Sequence, residues 1–242
     1  MLTKYLPIFI ILAILSEILG TVGGFGSSVY FVPIANFFLD FQSVLGITAL
    51  FHLSSNVTKI AFFKKGFDKN IVLKLGIPAI LFVSIGAFFS KYADPKILTC
   101  ILGFFLIFLS LLFLVFKNLK VRPTTHNAII GGVLSGLSAG LLGTGGAIRG
   151  ITLAAFKMNK DKFIATSAVI DLGVDFSRTI VYYFNGYIHQ HDLYLVPILI
   201  FVSILGTWIG KKILNRISQE QFRNFVLFLI LGIGIASMLS NL

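Results

Sequence analysis

The chain reads as a succession of apolar runs separated by short polar segments. Residues 5–22 form the first run and carry one acid, Glu17. The segment 23–28 interrupts it, and a short apolar arm, 29–39, follows. A second run, 43–63, is studded with His52, Asn56 and Lys59, and the basic segment 64–69 leads into a third at about 73–90. The fourth, Ile97–Phe116, spans 20 residues without a charge. At a rise of about 1.5 Å per residue, about 20 apolar residues cross the hydrocarbon core of a bilayer, so this run predicts a spanning helix. After the polar segment 117–126 the pattern returns. An apolar run over 127–142 is broken at Gly143–Gly146, and a short arm reaches Phe156. A polar-studded run, 163–184, carries Asp171, Asp175 and Arg178, and the runs 193–210 and 225–239 complete the set.

The two halves keep one register. A shift of 119 residues carries Gly24, Gly26 and Ser27 onto Gly143, Gly145 and Gly146. It also carries His52, Asn56 and Lys59 onto Asp171, Asp175 and Arg178, and Pro78 onto Pro197. A common offset across glycine, proline and polar positions predicts an internal duplication. The first membrane repeat is 1–117, a cytoplasmic linker occupies 118–126, and the second membrane repeat is 127–242.

Composition and charge now add the medium and the orientation. With 57% apolar and 12% charged residues, against about 25% charged in soluble domains, the chain predicts an integral membrane protein. The net charge of +11 is a positive-inside bias rather than a nucleic-acid footprint, because the bases sit mostly between the apolar runs. The arms 29–39 and 147–156 are too short to span, so each broken pair is expected to be a re-entrant hairpin. Each half then crosses an odd number of times and the halves are inverted. With the N-terminus outside, Lys64, Lys65, Lys69, Lys74, Lys117, Lys120, Arg122, Lys157, Lys160, Lys162, Lys211, Lys212, Arg216 and Arg223 face inward. That places 14 of the 20 bases inside and leaves only Lys4, Lys91 and Lys96 outside. Eight complete spans starting inside would split them 8 to 9, so the positive-inside rule favours inversion. The expected fold is all-α: two inverted four-segment repeats, each a broken re-entrant helix pair followed by three spans. The expected location is the cytoplasmic (inner) membrane. The N-terminal run reads as a retained segment rather than a cleaved signal. Cys100 stands alone in an apolar run, which removes disulfides and cysteine-based metal sites.

The breaks are where chemistry is expected. Unwound backbone inside a membrane is tolerated only where protein or a water-filled cavity satisfies it. Glycine allows the turn and the close approach of a ligand. In Gly140-Leu-Leu-Gly-Thr-Gly-Gly-Ala-Ile-Arg149-Gly150, the arm after Gly146 would aim a helix N-terminus, with its free N–H groups, at an anion. Close packing of helices through small residues is the plainer reading of such a run. Nothing here matches a nucleotide loop, since no strand precedes either break.

Arg149 is the sharpest residue, because a guanidinium at membrane depth faces a cavity or a partner and its fork suits an oxyanion. Pairing with Glu17 or an aspartate is its structural alternative. Its repeat counterpart is Tyr30, so the site is expected to be asymmetric. Candidate substrate contacts are Arg149, Gly24, Gly26, Ser27, Ser28, Gly143, Gly145, Gly146, Thr48 and Ser167. Glu17, His52, Asn56, Lys59, Asp171, Asp175 and Arg178 are candidates for the pathway or for coupling.

Asp171, Asp175 and Arg178 lie at i, i+4 and i+7 on one helical face, and His52, Asn56 and Lys59 repeat that spacing. Asp175 and Arg178 could equally form a local ion pair. Lys59 and Arg178 are expected to attract anions at opposite vestibules. Thr48, Thr166 and Ser167 could cap the broken helices or bind substrate, but back-bonding to their own helix is the role expected first. His189, Gln190, His191 and Asp192 read as a solvated outer turn; a metal site is the less favoured alternative, lacking a third apolar-flanked ligand, and no metal is expected. Tyr182, Tyr183, Tyr187, Tyr194 and Trp208 read as interfacial anchors.

Gly24-Phe-Gly26-Ser27-Ser28-(x)4-Pro33 and Gly143-Thr-Gly145-Gly146-Ala147 resemble the duplicated Gly-x-Gly-Gly-Gly-(x)4-Pro motif of the TauE/SafE sulfite exporter family. Ala165-Thr166-Ser167 resembles that family's Ala-Thr-Ser segment, and the eight-segment layout extends the likeness over nearly the whole chain. Ser27, Ser28 and Ala147 depart from glycine, and Thr152 stands where the second motif would carry proline. The resemblance implies a transporter for sulfite, sulfoacetate or another small sulfonate. Alternating access, a coupling proton, no cofactor and a homodimer complete the expectation. A passive anion channel and, less favoured, a membrane-embedded enzyme are the alternatives.

Overall fold

The computed structural model describes residues 2–24, 26–64, 66–116, 121–214, 216, 231, 232 and 235. Most of the apolar run 225–239 lies outside these residues. So do Phe25 of the first motif, the linker positions 118–120 and the bases Lys65, Lys117, Lys120 and Arg223.

Among the described residues every regular element is helical. The first half comprises α1 (Leu2–Gly23), α2 (Ser28–Ala35), α3 (Phe41–Phe62), α4 (Lys69–Ile71), α5 (Ile77–Ser90) and α6 (Pro95–Val115). A π-helical stretch, Val72–Gly76, joins α4 to α5 just before Pro78. A wider turn there accommodates a residue that brings no N–H and crowds the preceding carbonyls. The second half comprises α7 (Thr125–Leu142), α8 (Gly146–Ala154), α9 (Lys160–Asn185) and α10 (Leu195–Leu214). Four stretches, Tyr5–Gly23, Lys69–Ser90, Pro95–Leu112 and Leu195–Leu214, are long and apolar enough to cross a membrane.

Polar side chains set the helix starts. Asp40 accepts from the Ser43 amide at 3.0 Å, Thr124 from Asn127 at 3.2 Å and Asn159 from Lys162 at 2.8 Å. Left-handed glycines end α7 at Gly143 and α9 at Gly186.

The most extensive helix contacts all join one half to the other: α5 with α7, α1 with α10, and α3 with α9. Exchanging the halves in the 119-residue register turns α1–α10 into α7–α5 and α3–α10 into α9–α5, and all of these pairs pack. Each long helix that precedes a break is therefore clasped by the opposite half.

The clasp depends on small residues. A Cβ on Gly132, Gly136 or Gly140 of α7 would strike the carbonyl of Leu75, Ala79 or Val83, so α7 and α5 run parallel in close contact. A Cβ on Gly206 or Gly210 of α10 would come within 2.7 Å of Glu17 or 2.8 Å of Thr21 on α1. Close helix packing therefore accounts for these glycines without any ligand.

Helices α3 and α9 run antiparallel. Ser43 meets His189, Asn56 meets Asp175 and the Asp68 segment after α3 meets Lys162. Lys211, near the end of α10, donates to the Phe62 carbonyl at the end of α3.

Two of the expected interfacial tyrosines belong to the core. Tyr182 is fully buried and donates to the Gly140 carbonyl at 2.7 Å, while buried Tyr187 packs against its ring. Tyr183, Tyr194 and Trp208 are exposed, as anchors would be. The difference is one of helix face, since Tyr182 sits one turn beyond Arg178 on the buried side of α9.

Candidate functional site

The two breaks lie against each other and open on the same turn, while their second glycines differ, with Gly26 at φ 81° and Gly145 at φ −137°. Gly24 and Gly143 both adopt left-handed backbone, at φ 69° and 75°. A side chain at Gly24 would come within 2.7 Å of the Phe163 ring. The Thr144 hydroxyl of the second break donates to the Ser28 hydroxyl of the first at 3.3 Å. Arg149, on α8, reaches across until its Nη2 lies 3.6 Å from where a Gly26 Cβ would be. Gly145 and Gly146 begin α8, and Gly145 lies too close to the Ser135 carbonyl to carry a side chain.

Arg149 has taken its aspartate alternative. Its Nη1 pairs with Asp171 at 2.5 Å and its Nε donates to Ser167 at 3.1 Å. The Asp171 side chain remains 13% exposed where Arg149 is 3% exposed, so the pair is approachable from the carboxylate side. A small cleft beside the first break is lined by Gly20, Gly24, Gly26, Lys59, Ser167 and Asp171, among others.

Glu17 is fully buried and organises the other side of the first break. It pairs with Lys59 at 2.8 Å and accepts from Ser27 at 2.6 Å, Ser55 at 2.7 Å and Thr207 at 2.9 Å. The single Ser27 hydroxyl proton goes to Glu17, so the 3.1 Å contact with His52 is donated by Nε2–H. That assignment leaves the Nδ1 lone pair of His52 facing Asp175 Oδ2 at 3.9 Å.

Asp175 accepts from Asn56, its exact register counterpart, at 2.6 Å and pairs with Arg178 at 2.7 Å. Arg178 in turn donates to the Gly143 carbonyl at 2.8 Å and thereby caps the end of α7 at the second break. One polar chain therefore runs from Lys59 through Glu17, Ser27, His52, Asp175 and Arg178 into the second break.

The geometry differs from the expected vestibules. Lys59 and Arg178 are buried and committed to Glu17 and Asp175, so neither is a free base at an entrance. A lone charge at this depth is too costly to leave without a partner.

Thr166 bonds back to Lys162 at 2.6 Å, as expected of a helical threonine. Among the described residues, buried Thr48 has no partner for its hydroxyl, and the same holds for the fully buried Tyr30. The candidate contacts read from the sequence do not include Tyr30, Ser55, Thr144 or Thr207. Ser55 lies one turn before Lys59 and Tyr30 is the register counterpart of Arg149, so both carried a signal. The hydroxyls of Thr144 and Thr207 carried none.

The turn expected to be solvated is only partly so. Residues Gln190–Asp192 form a 3-10 turn in which Asp192 is buried and His191 exposed.

The family model described as Sulfite exporter TauE/SafE matches residues 9–237. A relative named Probable membrane transporter protein MJ0441, from Methanocaldococcus jannaschii, is 26% identical over 250 residues. That alignment covers 94% of this chain and 93% of the relative. No solved structure matches. Together with the four apolar helices, these matches make the chain a multi-pass membrane protein of a transport family, and they point to transport rather than enzymatic catalysis. The chain belongs to the TauE/SafE sulfite exporter family.

Proposed function

We propose that the protein is a secondary transporter of the cytoplasmic membrane that moves a small sulfur-containing or organic anion by alternating access, coupled to a proton. The observation that carries the proposal is the Arg149–Asp171 pair beside Gly26, where the two helix breaks meet. A sulfonate or carboxylate has the oxygen geometry that a guanidinium fork binds, and in this structure Asp171 takes one prong of that fork, Nη1. The antiparallel course of α3 and α9 and the exchanged packing of the halves support an inverted repeat. Such repeats place substrate sites at their interface near the midplane.

The coupling follows from charge. Among the described residues the buried site holds Glu17, Asp171 and Asp175 against Lys59, Arg149 and Arg178, three acids and three bases. An anion that takes Arg149 leaves Asp171 without its base. An unpaired buried carboxylate is costly, and a proton removes that cost. The free Nδ1 of His52 is a second place for a proton, beside Asp175. Tyr30 and Thr48 occupy, in the first half, the register positions that Arg149 and Ser167 occupy in the second. Their unpartnered hydroxyls are suited to substrate oxygens.

Thermal melting with sulfite, methanesulfonate, sulfoacetate and acetate tests the anion site. A ligand at 100 times its dissociation constant stabilises the folded state by about 2.7 kcal/mol. At least one of these anions raises the melting temperature of the wild type and leaves Arg149→Ala unmoved. Equal stabilisation of Arg149→Ala removes Arg149 from the site.

A further inference from the structure

We propose that His189, His191 and Asp192 form a binding site for a divalent transition-metal ion, with zinc the best match to two imidazoles and a carboxylate. The potential ligand atoms of the three residues lie within 4.8 Å of one another. The two imidazole rings stack at 5.1 Å with an interplanar angle of 8°. Asp192 approaches His191 Nε2 at 3.4 Å and His189 Nδ1 at 3.7 Å. Its side chain is 3% exposed, and its Oδ2 has no hydrogen-bond partner among the described residues. A buried carboxylate oxygen left without a partner is expensive, and a cation held by the adjacent imidazoles would satisfy it.

A second observation points the same way. The Ser43 hydroxyl lies 2.7 Å from Asp40 and 2.8 Å from His189 Nδ1. A carboxylate only accepts, so Ser43 gives its one proton to Asp40 and must accept from His189 Nδ1–H. The relay fixes the tautomer and commits Nδ1, the His189 nitrogen that lies 3.7 Å from Asp192, so His189 would offer the metal its Nε2 lone pair. Metal-binding histidines are held in this way, with the second ring nitrogen donating to an outer partner.

Zinc–nitrogen bonds of about 2.0–2.1 Å require the ligand atoms to draw closer than they are here. His191, at 73% exposure, has the freedom to make that movement. Three protein ligands leave a fourth tetrahedral position for water. The site would tie the connection between α9 and α10 to the start of α3, where a Cβ on Gly46 would already strike the Tyr187 carbonyl.

The test uses the full chain in detergent, free of a histidine tag and stripped with chelator. Zinc is titrated against a chromophoric chelator, and melting is recorded with zinc or magnesium. The expected result is one zinc per chain and a melting temperature raised by zinc but not by magnesium. His191→Ala abolishes both effects while melting like the wild type without metal. Ser43→Ala weakens zinc binding by roughly 10- to 100-fold. His126→Ala, remote in sequence, binds as the wild type does. Absence of stoichiometric zinc binding, or unchanged affinity in His191→Ala, overturns the site. Neither result bears on anion transport, which this cluster does not enter.

Discussion

Fully buried, Glu17 accepts hydrogen bonds from four hydroxyls, those of Ser27, Ser55, Thr207 and Thr21, while pairing with Lys59, so five side chains converge on one carboxylate. Breaking a buried pair by removing one partner typically costs about 3–5 kcal/mol, because the other charge is left uncompensated. Glu17→Gln is therefore expected to lower stability by roughly that amount. Glu17→Gln with Lys59→Met recovers a large part of the loss, as denaturation in detergent would record. A double variant no more stable than the single one argues that the hydroxyls, rather than Lys59, hold the charge.

At this scale the sequence was informative about charges and poor about their partners. Glu17, Lys59, Arg149, Asp171, Asp175 and Arg178 stand out because hydrocarbon rarely tolerates them. Asp175 with Arg178 is the local i, i+3 pair that the sequence offers, but Glu17 with Lys59 joins α1 to α3 and Arg149 with Asp171 joins α8 to α9. No local pattern contains the last two pairings. Thr144 and Thr207 stayed hidden because serine and threonine are common in membrane helices and usually bond to their own backbone.

Among the elements, the breaks depend on left-handed glycines and the connections on caps. Gly143 and Gly186 both have positive φ, at 75° and 81°. A Cβ at Gly143 would lie 2.8 Å from Leu45, whereas nothing stands within 4 Å of one at Gly186. Alanine at either glycine incurs about 1–2 kcal/mol for the left-handed backbone. Gly143→Ala should exceed Gly186→Ala in a comparison of melting temperatures, and the excess measures packing at the break. Equal losses would mean that Leu45 and Val32 yield freely.

The connection from α3 to α4 offers a pH test. Asp68 is held below the usual carboxylate range first by its hydrogen bond from Lys162 and then by the Ile71 amide. A lowered folded-state value stabilises the fold above the unfolded aspartate pKa of about 3.9. That contribution is lost as pH falls through the folded value. Asp68→Asn therefore destabilises at neutral pH, by less than about 1 kcal/mol for so exposed a pair, and the difference from wild type shrinks on acidification. A difference that grows on acidification contradicts this role.

For the whole molecule, much of the architecture was readable because the medium imposes it. Run length identifies the long apolar helices, and glycine marks the breaks between them. The packing was not readable, because the glycines of α7 and α10 match backbones in the opposite half. Burial of Tyr182, Tyr187 and Asp192 also escaped, since a polar group near a helix end resembles an interfacial one until the neighbouring helix is in place.

The central claim is that an incoming anion displaces Asp171 from Arg149 and that a proton follows. Its most direct test is simultaneous recording of anion uptake and internal pH in proteoliposomes, using the monovalent sulfonate that stabilises the protein most. A sulfonate is the anion of a strong acid, so it does not carry protons across by itself. The account predicts one proton moved with each anion, no dependence on membrane voltage, and loss of proton movement in Asp171→Asn. Voltage-driven sulfonate entry without acidification of the interior would contradict it.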